Sequence, residues 1–174
     1  AELVREIGDE MTLYAERMGV RLEFDLPRTE SIVADPVRVK QIMINLLSNA
    51  VKFSDGAGLV QVGLRSKPDA VEISVRDQGI GIAPEHFERI FASFEQVHKG
   101  NTRKYGGTGL GLSISRSLVR MHGGELWVES ELGKGATFRF RIPRGLIGGR
   151  SRNASSKVKN VAGQPLRQGE EMAS

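Results

Sequence analysis

The sequence predicts an α+β fold, a two-layer α/β sandwich with helices on one face of a mixed, mostly antiparallel sheet. Three observations carry that expectation. Segments with helical apolar spacing are interspersed with segments that alternate strictly. The later strands come in hairpin pairs, "LVQVGLRS" with "AVEISVRD" and "ELWVES" with "ATFRFRI", not in regular β-α-β order. Turn-forming stretches, Lys67-Pro68-Asp69 and Leu132-Gly133-Lys134-Gly135, separate the members of each pair.

Residues 2–18 place Leu3, Val4, Ile7, Met11, Leu13, Tyr14 and Met18 at roughly helical spacing, closed by Gly19. "VRLEFDLP" alternates Val20, Leu22, Phe24 and Leu26 and stops at Pro27, which reads as a strand. Asp35-Pro36 opens a second helix, a capping carboxylate followed by proline at the first helical position. It runs to Phe53 and is ended by Asp55-Gly56. After the first hairpin come a glycine-rich turn and a short helix opening at Pro84 and covering "EHFERIF". Ala92 to Gly107 shows little periodicity and reads as a long irregular loop. "LGLSISRSLVRMH" is a third helix, closed by Gly123-Gly124, and Pro143 ends the last strand. Residues 1–144 therefore form one domain, and 145–174, rich in Gly, Ser, Asn, Gln and charge, read as a linker or tail.

The 174 residues suffice for one real core, and 39% hydrophobic with 26% charged residues is ordinary for a soluble globular protein. No apolar run is long enough to span a membrane, and the opening residues lack the order of a signal peptide. The expectation is a soluble, cytoplasmic domain cut from something longer. With no cysteine there are no disulfides or thiolate zinc sites, and the three histidines do not cluster as metal ligands. The net charge is +4, but residues 145–174 hold five basic and two acidic side chains. Three of the four charges thus belong to the tail, and no nucleic-acid footprint is expected on the folded part.

The stretch "QIMINLLSNAVKFS" poses the sharper question. On a helical wheel Arg38, Gln41, Asn45, Asn49 and Lys52 fall inside an arc of roughly 80°. Val39, Ile42, Met43, Leu46, Leu47, Ala50 and Val51 cover most of the rest. A solvated face would explain the stripe, but such faces favour Glu, Lys, Gln and Arg. Each asparagine costs about 0.5 kcal/mol of helix propensity relative to alanine. As a site, the amide oxygens suit a hard cation, with Lys52 reaching a phosphate.

"RDQGIGI" follows a strand whose Val71, Ile73 and Val75 point one way, so the period turns Asp77 inward as well. A carboxylate aimed at a core needs partners, and an exocyclic amine such as adenine N6 is one. Gly79 and Gly81 would let backbone approach a flat ring; a capped hairpin end is the plainer alternative. "GGTGLGLS" leads into a helix and exposes N–H groups where phosphate binds well, although it matches neither the Walker nor the dinucleotide pattern. A flexible hinge is its plainer alternative. Phe87, Ile90, Phe91 and Phe94 read either as core or as the hinge of a mobile lid.

Together "NLLSNAVKF", "DQGIGI", "FERIFASFEQV" and "GGTGLGLSIS", in that order, resemble the asparagine, first glycine, phenylalanine and second glycine boxes of histidine protein kinases. "GKGATFRFRIP" looks like their closing strand motif, and the resemblance covers residues 1–143. Their catalytic ATP-binding domain shares a superfamily with DNA gyrase, Hsp90 and MutL. The resemblance implies a left-handed β-α-β ATP-binding sandwich, the Bergerat fold, with ATP and Mg²⁺ held under a mobile lid. It implies that Asn49 holds the metal, with Asn45 beside it as a second ligand and the residue that assists chemistry. Lys52 then contacts phosphate, Phe53 packs near adenine, and Asp77 reads its amine. Gly79, Gly81, Ile82 and Thr137 lie by the base. Gly107, Thr108, Gly109, Leu110 and Gly111 cradle phosphates, and Arg103 and Lys104 face the γ-phosphate.

Hydrolysing relatives carry a glutamate where Asn45 stands, and an amide cannot take the proton of water. Transfer to a histidine is therefore expected. The acceptor lies on dimerisation helices of the same kinase and not at His86, His98 or His122. A response regulator receiver domain is the downstream partner, and the chain itself is expected to be monomeric. A serine kinase of the same superfamily, or a nucleotide-sensing regulatory module, stays open as an alternative.

One prediction follows from the loop alone. Trypsin should cut quickly at Lys99, Arg103 and Lys104 without ligand. A nonhydrolysable ATP analogue with Mg²⁺ should slow this more than ADP does, because only the former offers a γ-phosphate to the basic pair. Equal protection by both would remove Arg103 and Lys104 from that role.

Overall fold

The computed structural model describes residues 1–28, 30–54, 58–95 and 109–145. In chain order its elements are α1 (Glu2–Arg17), β1 (Arg21–Asp25), α2 (Pro36–Phe53), β2 (Leu59–Ser66) and β3 (Ala70–Arg76). Two 3₁₀ turns follow, Pro84–His86 and Arg89–Phe91, then α3 (Gly111–Met121), β4 (Glu125–Ser130) and β5 (Ala136–Pro143). The strands form one sheet in the order β1-β2-β3-β5-β4. β1 and β2 are parallel and joined through α2, and the other pairs are antiparallel. This is the expected α+β sandwich.

Local chemistry sets the boundaries. The Asp35 carboxylate caps α2 by accepting from the N–H groups of Val37 (2.9 Å) and Arg38 (3.2 Å), with Pro36 at the first helical position. Helix α1 ends at its cap residue Met18, and Gly19 then takes the left-handed conformation that ends helices. All seven apolar positions read on the wheel of α2 are buried: Val39, Ile42, Met43, Leu46, Leu47, Ala50 and Val51. They pack on an apolar sheet face made by Val60, Val62, Leu64, Val71, Ile73, Val75, Leu126, Phe138, Phe140 and Ile142. The intervening positions face away and pair their charges, Arg65 with Asp25, Arg139 with Glu72 and Glu129, Arg141 with Glu125. Burial of the apolar stripe is the main stabilising term.

The segment after Pro84 departs from expectation. "EHFERIF" forms two 3₁₀ turns and no α-helix. It is too short to repay helix nucleation, and its residues are placed by Phe91, which buries its ring edge-on to Phe138 at 6.4 Å. Phe94, by contrast, is 76% exposed and holds a positive φ of 65°.

A second pole lies at the far ends of β5 and α3. Arg144 bonds the Lys67 and Ser31 carbonyls, the Ser66 hydroxyl and the Glu30 carboxylate, and its N–H reaches Asp69. His122, capping α3, holds the Leu118 carbonyl at 2.8 Å with Nδ1 and accepts the Asp35 N–H at Nε2 (3.2 Å). Nδ1 therefore carries the ring proton.

The Arg144 and Ser66 hydrogen bonds hold the Glu30 carboxyl below its ordinary value. A depressed carboxylate contributes stability above its unfolded pKa and loses it as pH falls through the folded one. Urea unfolding of wild type and Glu30→Gln should thus differ most near neutral pH and converge in acid. A gap that widened on acidification would contradict the clasp.

Candidate functional site

At the opposite pole, the C-terminal ends of α2 and β3 meet the start of α3 and of β5. Asp77 extends the inward stripe of β3 and is 4% exposed, as its period requires. Its Oδ1 accepts the N–H of Gly79 at 2.9 Å and that of Ala136 at 3.1 Å, while its own N–H donates to the Ala136 carbonyl at 2.9 Å. Both bonds fall on one oxygen, and neither uses Oδ2. Burial pushes the Asp77 carboxyl above the ordinary aspartate range, outweighing the lowering by the Gly79 and Ala136 N–H groups.

The glycines beside it serve the protein's own packing. A side chain at Gly79 would run into the Phe53 carbonyl, and one at Gly81, whose φ is +68°, into the Glu131 carbonyl. The approach they permit is to neighbouring backbone, which seats the Asp77 turn against α2. Ile82 is half-buried on the core, and its N–H donates to Ser130 Oγ at 2.8 Å.

Asn45 joins the two helices that flank the site. Its Nδ2 donates to the buried Ser115 Oγ at 2.8 Å, and its Oδ1 lies so close to Gly111 that a β-carbon there would displace the amide. Gly111 thus opens α3 where α2 comes nearest. Leu110 caps that helix without a side-chain bond, so the N–H groups of the first turn keep their capacity for an anion. Asn49, one turn beyond Asn45, is half-buried and its amide bonds no described residue. Lys52 is half-buried, its ammonium 5.1 Å from the centroid of the Phe53 ring, and burial lowers its pKa. Among the described residues no three His, Cys, Asp or Glu gather as a metal site. A cation here would depend on amide and phosphate oxygens.

Strand alternation turns Thr137 to the outer face of β5 with Arg139 and Arg141, opposite Arg76 and Glu129. Ala136 holds the inward place. Gly109, Leu110 and Gly111 lie at the start of α3, whereas Arg103, Lys104, Gly107 and Thr108 fall outside the described residues, as do the tail from 146 and His98. Ser115, the anchor of Asn45, was missed in the sequence. Its one signal was a polar residue four positions on from Gly111, on the buried side of an amphipathic helix.

A buried carboxylate with both backbone donors on one oxygen, amides on one helix and uncapped N–H groups on the next suit a base, a metal-bound phosphate chain and its charge. Residues 34–146 match the family described as histidine kinase-, DNA gyrase B-, and HSP90-like ATPase. The chain belongs to that family.

Within it, the likeness is to histidine kinases. The chain is 49% identical over 116 residues to hybrid signal transduction histidine kinase B of Dictyostelium discoideum, covering 64% of this chain and 6% of that protein. The solved catalytic domain of histidine kinase ThkA matches with a TM-score of 0.71 at 32% identity, covering 82% of this chain and 91% of that one. ThkA in complex with the response regulator TrrA matches at 0.70 and 29% identity, covering 83% and 40%. The chain spans 6% to 22% of the length of the curated relatives it matches.

The raised pKa of Asp77 has a consequence for the chain without ligand. Ionising a group whose folded pKa is raised costs stability as pH rises through that pKa. Asp77→Asn keeps the oxygen that accepts from Gly79 and Ala136 and removes the buried charge. Unfolding by urea should show the variant at least as stable as wild type at pH 7, its advantage shrinking in acid. A variant clearly weaker at pH 7 would show that the carboxylate is needed for the fold itself.

Proposed function

We propose that this chain binds Mg²⁺-ATP and donates the γ-phosphate to a histidine on a separate helical phosphoacceptor domain, as the catalytic domain of a sensor histidine kinase. The observation that carries the reading is Asn45. Tied to Ser115 and packed against Gly111, it is a held amide where a hydrolytic site needs a carboxylate base. Transfer to an imidazole asks the domain mainly for positioning and charge neutralisation.

In this reading Asp77 Oδ2 accepts from the adenine amine, Phe53 packs near the ring, and Gly79, Gly81 and Ile82 shape the wall. Asn49 ligates Mg²⁺ with Asn45 beside it, and Lys52 pairs with a phosphate. The N–H groups from Gly109 through Gly111, leading into α3, receive the phosphate chain. The metal supplies charge neutralisation across the phosphates. Arg103, Lys104, Gly107 and Thr108 keep the roles that resemblance gives them. The partners are the dimerisation and phosphoacceptor domain of the same kinase and a response regulator receiver domain, as the ThkA–TrrA complex supports. Among the described residues no helix is long and apolar enough to cross a membrane. We place the domain on the cytoplasmic side, as a monomer.

The test uses γ-labelled Mg²⁺-ATP with the chain alone and with the phosphoacceptor hairpin of its parent protein added. Release of phosphate by the chain alone should stay near background, and acid-labile label should appear only on the hairpin. Rapid hydrolysis, or label on His86, His98 or His122, would overturn the assignment. Asp77→Asn should weaken ATP binding by roughly tenfold to a hundredfold, the value of a hydrogen bond to a charged group.

A further inference from the structure

Two inward stripes of the fold end in buried polar residues, Ser54 and Asp77, whose chain neighbours Phe53 and Gly79 lie against each other. On α2 the buried positions Leu47, Ala50 and Val51 continue at helical spacing to Ser54, the residue after the last helical one, which is 4% exposed. On β3 the stripe Val71, Ile73, Val75 continues at strand spacing to Asp77. The two ends touch where the Phe53 carbonyl meets the α-carbon of Gly79, whose N–H is bonded to Asp77.

Three polar residues are buried among the described ones: Ser54, Asp77 and Ser115. Asp77 has its backbone donors and Ser115 has Asn45. Among the described residues the Ser54 hydroxyl has no hydrogen-bond partner. Its N–H is used, closing α2 on the Ala50 carbonyl, so the orphan is the side chain alone. A buried hydroxyl left unmade is rare in a native fold and calls for a water or a ligand.

We infer that Ser54 is a specificity-determining residue of the nucleotide site, its hydroxyl donating, directly or through one buried water, to a purine ring nitrogen beside the exocyclic amine. The inference rests on the nucleotide reading above. Asp77 can only accept while ionised, so by itself it matches any N–H of a base, including those of guanine. A donor next to it completes the pattern of adenine, an amine flanked by unprotonated ring nitrogens. Ser54 is the orphan hydroxyl where the Asp77 turn meets α2, and alanine at 136 brings none from the other side.

The test compares wild type, Ser54→Ala and Asp77→Asn by calorimetric ATP affinity and by melting temperature without ligand. For Ser54→Ala the melting temperature should be unchanged or higher, since an orphan is removed, while ATP affinity falls roughly threefold to tenfold. With 1-deaza-ATP or with 7-deaza-ATP, whichever lacks the nitrogen concerned, wild type and Ser54→Ala should bind alike. Unchanged ATP affinity in Ser54→Ala, a gap that persists with both analogues, or a lowered melting temperature that accounts for the loss would each overturn the inference. ATP binding lost in Asp77→Asn but intact in Ser54→Ala overturns the role of Ser54 alone. A wild-type chain that binds no ATP overturns the nucleotide reading and this inference with it.

Discussion

The arrangement at the site depends on how Asp77 is held. A carboxylate at the end of a core stripe is costly, and the fold offsets part of the cost by giving one of its oxygens two backbone donors. Those donors come from different places in the chain, Gly79 two residues on and Ala136 at the start of β5. The same contact that satisfies Asp77 therefore fixes how β3, its exit turn and β5 meet. Gly79 and Gly81 are required by this closeness: each lies against a carbonyl of another element, where any side chain would push the turn away.

The second constraint is the approach of α3 to α2. Asn45 and Ser115 share a buried hydrogen bond, and the missing side chain of Gly111 lets the helices close over it. The start of α3, with its uncapped N–H groups, is thereby set beside the amide stripe of α2. Two electrostatic features thus face one space: an anion-seeking helix end and amides that suit a hard cation. Phosphates with a bound metal present both charges at once.

The other pole is built differently. Arg144 and His122 bond mainly to backbone, and each ties a strand or helix end to loops remote in sequence. These contacts hold the elements in register while leaving their site-facing ends to chemistry. At the site pole the buried Ser54 hydroxyl has no hydrogen-bond partner among the described residues, and the two backbone donors of Asp77 both fall on Oδ1.

Local patterning sets the elements, and with them much of the site. Seven apolar positions on α2 and the alternation of β3 were enough to say which faces are buried and that Asp77 turns inward, because both depend only on local period. Partnership across elements was not legible. Nothing near Asp77 in sequence announces Ala136 as its donor; the register between β3 and β5 decides it. Ser115 and Ser54 look like ordinary helix-side serines until packing shows one bonded and the other orphaned. The glycines of the first box were read as room for a ring, but tertiary contact assigns that room to the carbonyls of Phe53 and Glu131. Period is a property of a segment, whereas a hydrogen-bond partner or a close approach belongs to two segments that only the folded chain brings together.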